Sequence, residues 1–248
     1  MKFTRALLKT KLKATGIHLC LSLVVFFILA YQIYYVWYPL PYFSVDGGWQ
    51  GIRIVAAVDL VLGPLITFLI FDLSKSRREI TFDLLTIATI QVAALVYGVM
   101  TTYQQRPVAI VLVDEIVLSV LESDYGSQLD SLAELKQYSP ESPPIIYADI
   151  PLSREAIDEI TRIKFEDKIP EQAQIQLYQP QSGLVTGLEK RQQRYLERMQ
   201  KSDAEQDYQQ WLVRNQKNPQ DVLIAPFNGR YGWVWLIFDK TGNYVGYI

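Results

Sequence analysis

A chain of 248 residues with a formal net charge of −2 has room for one or two domains and is too long for a simple peptide anchor. With one cysteine, Cys20, and one histidine, His18, both near the N-terminus, an intrachain disulfide, a multi-cysteine or paired-histidine metal site and a histidine-based catalytic triad in the C-terminal part are excluded. From Gln104 onward 15 Lys and Arg face 21 Asp and Glu, a net of −6 that leaves +4 on the first 103 residues; nucleic-acid binding, which needs a basic surface, is a poor fit to so acidic a part.

The N-terminal arm, up to Ala14, carries Lys2, Arg5, Lys9, Lys11 and Lys13 and no acid. It leads into residues 17–38, an apolar run about long enough to cross a ~30 Å hydrocarbon core. A cleaved signal peptide is the rival reading, but the apolar stretch is too long and no small-x-small cleavage site follows it. Tyr31, Tyr34, Tyr35, Trp37 and Tyr38 form an aromatic belt of the kind found at the lipid–water boundary, and Pro39 and Pro41 stop the helix. A second span is predicted at residues 52–71 and a third at 80–103, separated by a loop with Lys75, Arg77 and Arg78. The positive-inside rule then places the N-terminus and that loop in the cytoplasm, with the 39–51 loop and everything after Tyr103 outside, which in a bacterium is the periplasm.

The composition change near Tyr103 marks a boundary between a membrane domain, 1–103, and an exported domain, 104–248. In the latter, VAIVLVDEIVLSV reads as a strand that continues or folds back at Asp114-Glu115. Ser131 to Tyr138 reads as a short helix, IIYADI as a strand, and SREAIDEITRI as a helix capped by Ser153. A mostly charged helix is expected over Leu188 to Val213, and RYGWVWLIFD, a Lys240-Thr241-Gly242-Asn243 turn and YVGYI form a C-terminal hairpin. The expected fold is thus an α-helical membrane protein with three transmembrane helices, followed by an α+β periplasmic domain with a small antiparallel sheet.

No catalytic residue, cofactor site or metal site is expected. His18, at the cytoplasmic end of the first span, reads as an interfacial residue, and no glycine-rich phosphate loop is present. Asp59 is the notable group, because an ionisable side chain in a span is costly and usually marks something. Counted from the outer helix ends at ~1.5 Å per residue, Asp59 and Asp83 lie at different depths, which argues against a paired-carboxylate protease; Asp83 reads as a boundary residue near Arg77 or Arg78. Tyr97 and Gln32 count to the depth of Asp59, so the expected arrangement is a polar intramembrane cluster of Asp59, Tyr97 and Gln32. Pro64 removes a helix donor and leaves the Leu60 carbonyl for Gln91, while Gly63, Ala94 and Gly98 supply small surfaces for close helix approach.

These features, in order, resemble the type IV pilin accessory proteins (TfpX/TfpZ and FimB-like). The likeness rests on the basic start and aromatic first span, VDLVLGPLITFLIF with Asp59 and Leu62-Gly63-Pro64, and the Lys75/Arg77/Arg78 loop. It continues through Asp83, Gln91 to Leu95, Tyr97-Gly98 and Arg106-Pro107 with its strand and Asp114. It covers about the first 115 residues and beyond them is one of layout. The resemblance implies a non-enzymatic inner-membrane factor that helps a cognate pilin become surface-exposed pili, with the lipid bilayer, a major pilin and inner-membrane pilus assembly proteins as partners and no nucleic acid. On that footing Gly63-Pro64 and Ala94/Gly98 are expected to contact the pilin helix while the outer domain touches its head. A membrane-anchored periplasmic sensor or ligand-binding protein is the alternative, although the short cytoplasmic parts offer little to carry a signal.

Overall fold

The computed structural model describes residues 5–72 and 74–248, so Lys2 of the expected basic arm lies outside the described residues. The chain forms two compact units, one running up to Phe43 and resuming over Gly47–Gln105, the other made of Ser44–Asp46 and Arg106–Ile248.

In the first unit, α1 (Arg5–Tyr31) passes into a π-helical turn at Gln32–Trp37, and a short α2 (Tyr42–Val45) precedes α3 (Gly48–Ala56). A second π turn, Ala57–Leu62, joins α3 to α4 (Gly63–Ile70), and α5 (Arg77–Gln104) is one unbroken rod. Three stretches, Leu7–Trp37, Gly48–Ile70 and Arg77–Gln104, are long and apolar enough to cross a membrane by length and composition. Each is longer than the sequence predicts, because its polar ends are helical too. Arg77 and Arg78 therefore open α5 and do not lie in a loop. Ser76 caps that helix: its Oγ accepts from Glu79 N–H at 3.4 Å, while the Glu79 carboxylate accepts from Ser76 N–H at 2.8 Å. Asp83 pairs at 2.6 Å with Lys75, not with either arginine.

Pro64 stands in the first turn of α4. The ring lacks an N–H, and the chain adjusts by winding the preceding turn wider, so that Gly63 N–H reaches Val58 O five residues back. Lys11, one of the lysines of the basic arm, is buried and donates to Phe68 O at 3.1 Å and Leu69 O at 2.9 Å. It closes the C-terminal end of α4, where carbonyls lack helical partners and the helix dipole favours a cation.

The second unit is built on a sheet. Its strands are β1 (Ala109–Val113), β2 (Ile116–Val120), β3 (Ile145–Ala148), β4 (Tyr178–Gln179), β5 (Val222–Asn228), β6 (Trp233–Asp239) and β7 (Tyr244–Tyr247). The spatial order is β4-β3-β1-β2-β5-β6-β7, with β1–β3 and β2–β5 parallel and the other pairs antiparallel. This mixed seven-stranded sheet corrects the expected small antiparallel one. The physical reason lies in coverage. Alternate residues of β1, Ala109, Val111 and Val113, join a core with Tyr125, Leu135 and Ile160, the last from α6 (Arg154–Arg162). On the opposite face the Tyr147 ring of β3 lies against Gly187 of α7 (Gln181–Gln200). Strands covered on both faces read as continuous apolar runs and tolerate parallel pairing through long crossovers.

Asp114-Glu115 folds β1 back onto β2, with Asp114 at φ 51°, a conformation that aspartate tolerates better than most residues. Ser153 caps as expected, accepting from Ala156 N–H at 3.3 Å, and Ser131 caps the short helical turn Leu132–Gln137 in the same way, accepting from Ala133 N–H at 3.2 Å. The single helix expected over Leu188 to Val213 is instead two, α7 and α8 (Glu205–Arg214). They part where Ser202 N–H turns back to Met199 O at 2.9 Å and the Ser202 hydroxyl accepts from Ala204 N–H at 3.3 Å, a local alternative to the helix ladder.

The C-terminal hairpin is present, and Asp239 organises its turn by accepting from Thr241 N–H at 2.8 Å and Asn243 N–H at 3.0 Å. Partial burial pushes this carboxyl up, but the bonds from Thr241 and Asn243 more than offset that and hold it below its ordinary value of 3.8. The stabilisation is therefore complete above the ordinary value and is lost as pH falls through the lowered one. Amide exchange at Thr241 and Asn243 is expected to accelerate on acidification through that window, beyond the intrinsic pH dependence, and an Asp239→Ala variant should lack the extra acceleration.

Candidate functional site

Within the first unit, a groove of about 790 Å³ runs between α1 and α5 over a floor that includes Asp59, Thr67 and Phe71. Its α1 wall is a single helical face, with Thr10, Ala14, Ile17, Leu21 and Val25 at steps of three and four residues. The α5 wall repeats the pattern through Leu84, Ala88, Val92 and Leu95. Such stripes normally pack against another helix. Here they remain open, with Ile17 56%, Leu21 65% and Val92 59% exposed.

Besides Thr10 and Lys13 near one end, polar groups line this apolar groove at two levels. His18 Nδ1 lies 2.6 Å from Thr67 Oγ1. Farther along, Asp59, only 3% exposed, accepts at Oδ1 from the Ser22 hydroxyl at 3.0 Å and from the Gln91 amide at 2.7 Å, and the same amide lies 3.4 Å from Ser22 Oγ. One side chain from each of the three rods thus meets in a single layer. Among the described residues, Asp59 Oδ2 and Gln91 Oε1 are buried and have no hydrogen-bond partner. Both leftover atoms are acceptors.

This arrangement differs from the cluster expected of Asp59, Tyr97 and Gln32. Ser22 marks the Asp59 layer on α1, and Gln32 opens the π turn ten residues later, about 15 Å along the axis. Gln91 marks the layer on α5, and Tyr97 lies six residues beyond it, 75% exposed. The depth count slips because α3 starts at Gly48: measured from Gly48 and Gln104, Asp59 lies 11 residues in and Gln91 13. Depth also carries no azimuth. Gly98 faces Ile54 of α3, so Tyr97 points about 100° away around α5.

Gln91 is beside Gly63-Pro64, as the sequence suggests, but its amide serves Asp59 and not the Leu60 carbonyl. A Cβ on Gly63 would meet Gln91 Oε1 first and stand 2.6 Å from Cδ and Nε2, so glycine is what lets the amide into the layer. Gly63, Pro64 and Gly98 are buried inside the unit, and Ala94 is half-buried. At the far end Gly51 gives room to the Thr102 methyl, and the buried Tyr38 hydroxyl donates to Thr102 O at 3.0 Å. Gly63 and Gly98, expected to meet a foreign helix, thus face the chain's own Gln91 and Ile54. Ser22, His18 and Thr67 are the site residues that sequence reasoning misses; their only signal is that each interrupts an apolar run.

The second unit holds a polar cluster of a different kind. Asp46, fully buried, accepts at Oδ1 from Ser119 Oγ, Arg230 N–H and Arg230 Nε, each at 3.1 Å. A carboxylate so fully bonded is a structural pin.

Residues 6–47 match the family model described as Fimbrial assembly protein FimB. The chain is 39% identical over 99 residues to the Dichelobacter nodosus fimbrial assembly protein of serogroups C1 and C2, which covers 40% of this chain and 76% of that one. It is 36% identical over 129 residues to the serogroup E1 protein of the same organism, covering 52% and 48% of the two chains. With the serogroup I protein it shares 37% identity over 128 residues, covering 51% and 50%. The alignments to the last two therefore span about half of those relatives' length. No solved structure matches.

Proposed function

Because the chain belongs to the family of FimB fimbrial assembly proteins, we propose that it is an inner-membrane accessory factor in type IV pilus biogenesis that binds its cognate pilin and assists its assembly or surface exposure. On this reading the three apolar rods span the bilayer, the N-terminus is cytoplasmic and the β-sheet unit is periplasmic. The observation that carries it, beside family membership, is a three-rod unit that packs its own small-residue surfaces yet leaves one helix-shaped groove open. A pilin waiting in a membrane, one apolar helix under a globular head, is a partner of matching layout. No bond-making chemistry is assigned to any residue; the role is binding.

Deleting the gene should lower surface pili far more than total pilin, and the full-length protein, extracted in mild detergent, should bring the pilin with it. Unchanged piliation together with absent copurification would reject the reading. An accumulation of unprocessed pilin would instead favour an enzyme.

A further inference from the structure

We propose that Tyr231 and Trp233 of the second unit seat their rings in the headgroup layer of a lipid bilayer, so that the turn between β5 and β6 rests on the membrane surface. This rests on the reading above that the three rods span a bilayer; it does not require pilin.

Exposure supplies the first argument. Among the described residues of the second unit, every tyrosine and tryptophan is buried or partly buried except Tyr231 and Trp233, which are 59% and 57% exposed. Scattered exposed rings are ordinary on a protein surface, but these two belong to one turn. Gly229 N–H closes that turn on Gly232 O at 2.9 Å, and Tyr231 and Trp233 stand on either side of Gly232. Each ring joins an apolar body to one polar atom, the chemistry that concentrates tyrosine and tryptophan where hydrocarbon meets water.

Connectivity supplies the second, and it favours a lipid surface over a partner protein. The turn grips the Ser44–Asp46 segment: Tyr231 N–H donates to Val45 O at 2.9 Å, a Cβ on Gly229 would run into the same oxygen, and Arg230 Nε donates to Asp46 at 3.1 Å. Val45 lies between two membrane-length stretches, one ending at Trp37 and the next starting at Gly48. From Val45 to Gly48 the chain can extend by at most about 10 Å. The third stretch ends at Gln104, and the chain enters β1 at Ala109. Ala109 pairs with Val120 at the end of β2, next to Ser119, whose hydroxyl also donates to Asp46. The passages from the rods thus reach one end of the sheet, and that end carries Tyr231 and Trp233. Ala148 of β3 pairs with Val113 at the opposite end, and Leu152, 94% exposed, follows it there.

The test uses the full-length protein in phosphatidylcholine liposomes, carrying Cys20→Ser so that one nitroxide label is attached at a time. Labels are placed through Tyr231→Cys and Trp233→Cys, with Leu152→Cys at the far end of the sheet and Phe27→Cys, 64% exposed on α1, as the reference for a span. Collisions with oxygen, which partitions into the bilayer, are compared with collisions with a water-soluble nickel chelate. The oxygen-to-nickel ratios of the Tyr231 and Trp233 labels should be shifted clearly above that of Leu152 and lie below that of Phe27, as headgroup depth requires. Ratios equal to that of Leu152 overturn the seating; added pilin that then shields both labels from both probes would identify a protein surface instead. A Phe27 label that behaves like the one at Leu152 overturns the spanning reading itself.

The unlabelled protein gives a second measurement, free of cysteine substitutions. The fluorescence contributed by Trp233, taken as the difference between the protein and its Trp233→Phe variant, should be lost in bilayers of phosphatidylcholine brominated on its acyl chains. A Trp233 contribution that survives in brominated lipid overturns the seating as well.

Discussion

Gly63→Ala should destabilise the first unit by about 1–3 kcal/mol, the cost of leaving a buried acceptor unmet, although it adds a single methyl group. The methyl would run into Gln91 Oε1 and lie 2.6 Å from Cδ and Nε2. A flexible amide can retreat from such a contact, so the steric term is small. In retreating, however, Gln91 gives up its 2.7 Å bond to Asp59, whose second oxygen already has no partner among the described residues. The mechanism makes a sharper prediction than the magnitude. In a Gln91→Ala background, Gly63→Ala should cost little, because the group that it displaces is gone. A double-mutant cycle on the detergent-solubilised full-length protein, followed by thermal unfolding, reads the coupling directly. Additive effects would show that Gly63 serves backbone approach and not the polar layer.

Arg230→Met is expected to cost the second unit about 3 kcal/mol, the lower end for breaking a buried ion pair, because it strands the Asp46 carboxylate, which is 0% exposed. The lower end applies since Asp46 keeps the Ser119 hydroxyl and the Arg230 backbone N–H. Hydrogen exchange along β2 and β5, flanking Ser119 and Arg230, should rise accordingly. Arg162→Met is the control. That guanidinium pairs with Glu159 at 2.7 Å, but both side chains are about half exposed, and water replaces the partner almost without loss. Exchange in α6 should stay nearly unchanged. If the two variants behave alike, burial does not set the worth of the Asp46 pair.

Much of the local structure is legible in the chain because its causes are local. Ser153 and Ser131 announce helix starts by offering a side-chain acceptor to an unsatisfied N–H. The apolar rods announce themselves by length, and the C-terminal hairpin by its turn residues. Other elements defeat a local reading. The β5 segment VLIAPFN carries no alternation, because both faces of the sheet are covered, and its parallel partner β2 lies about a hundred residues earlier in the chain. The break between α7 and α8 depends on one serine choosing a backbone turn over helix continuation. Lys11 looks like a solvated charge until the end of α4 is brought against it.

The candidate site divides along the same line. That an apolar rod should contain Asp59, next to a Gly63-Pro64 pair, and that a second rod should contain Gln91, is written in the order of residues. A carboxylate in such a setting must find donors, and that necessity is legible without coordinates. Which donors it finds is not. Three helices of known depth can still be rotated about their axes, and the π turns at Gln32–Trp37 and Ala57–Leu62 shift register in ways that residue counting misses. Tertiary packing chose Ser22 and Gln91 over Gln32 and Tyr97, buried Gly63 and Gly98 within the bundle, and left the α1 and α5 stripes facing an open groove. The rods and their polar residues follow from composition and period; the partners and the groove follow from azimuth, which exists only once the helices pack.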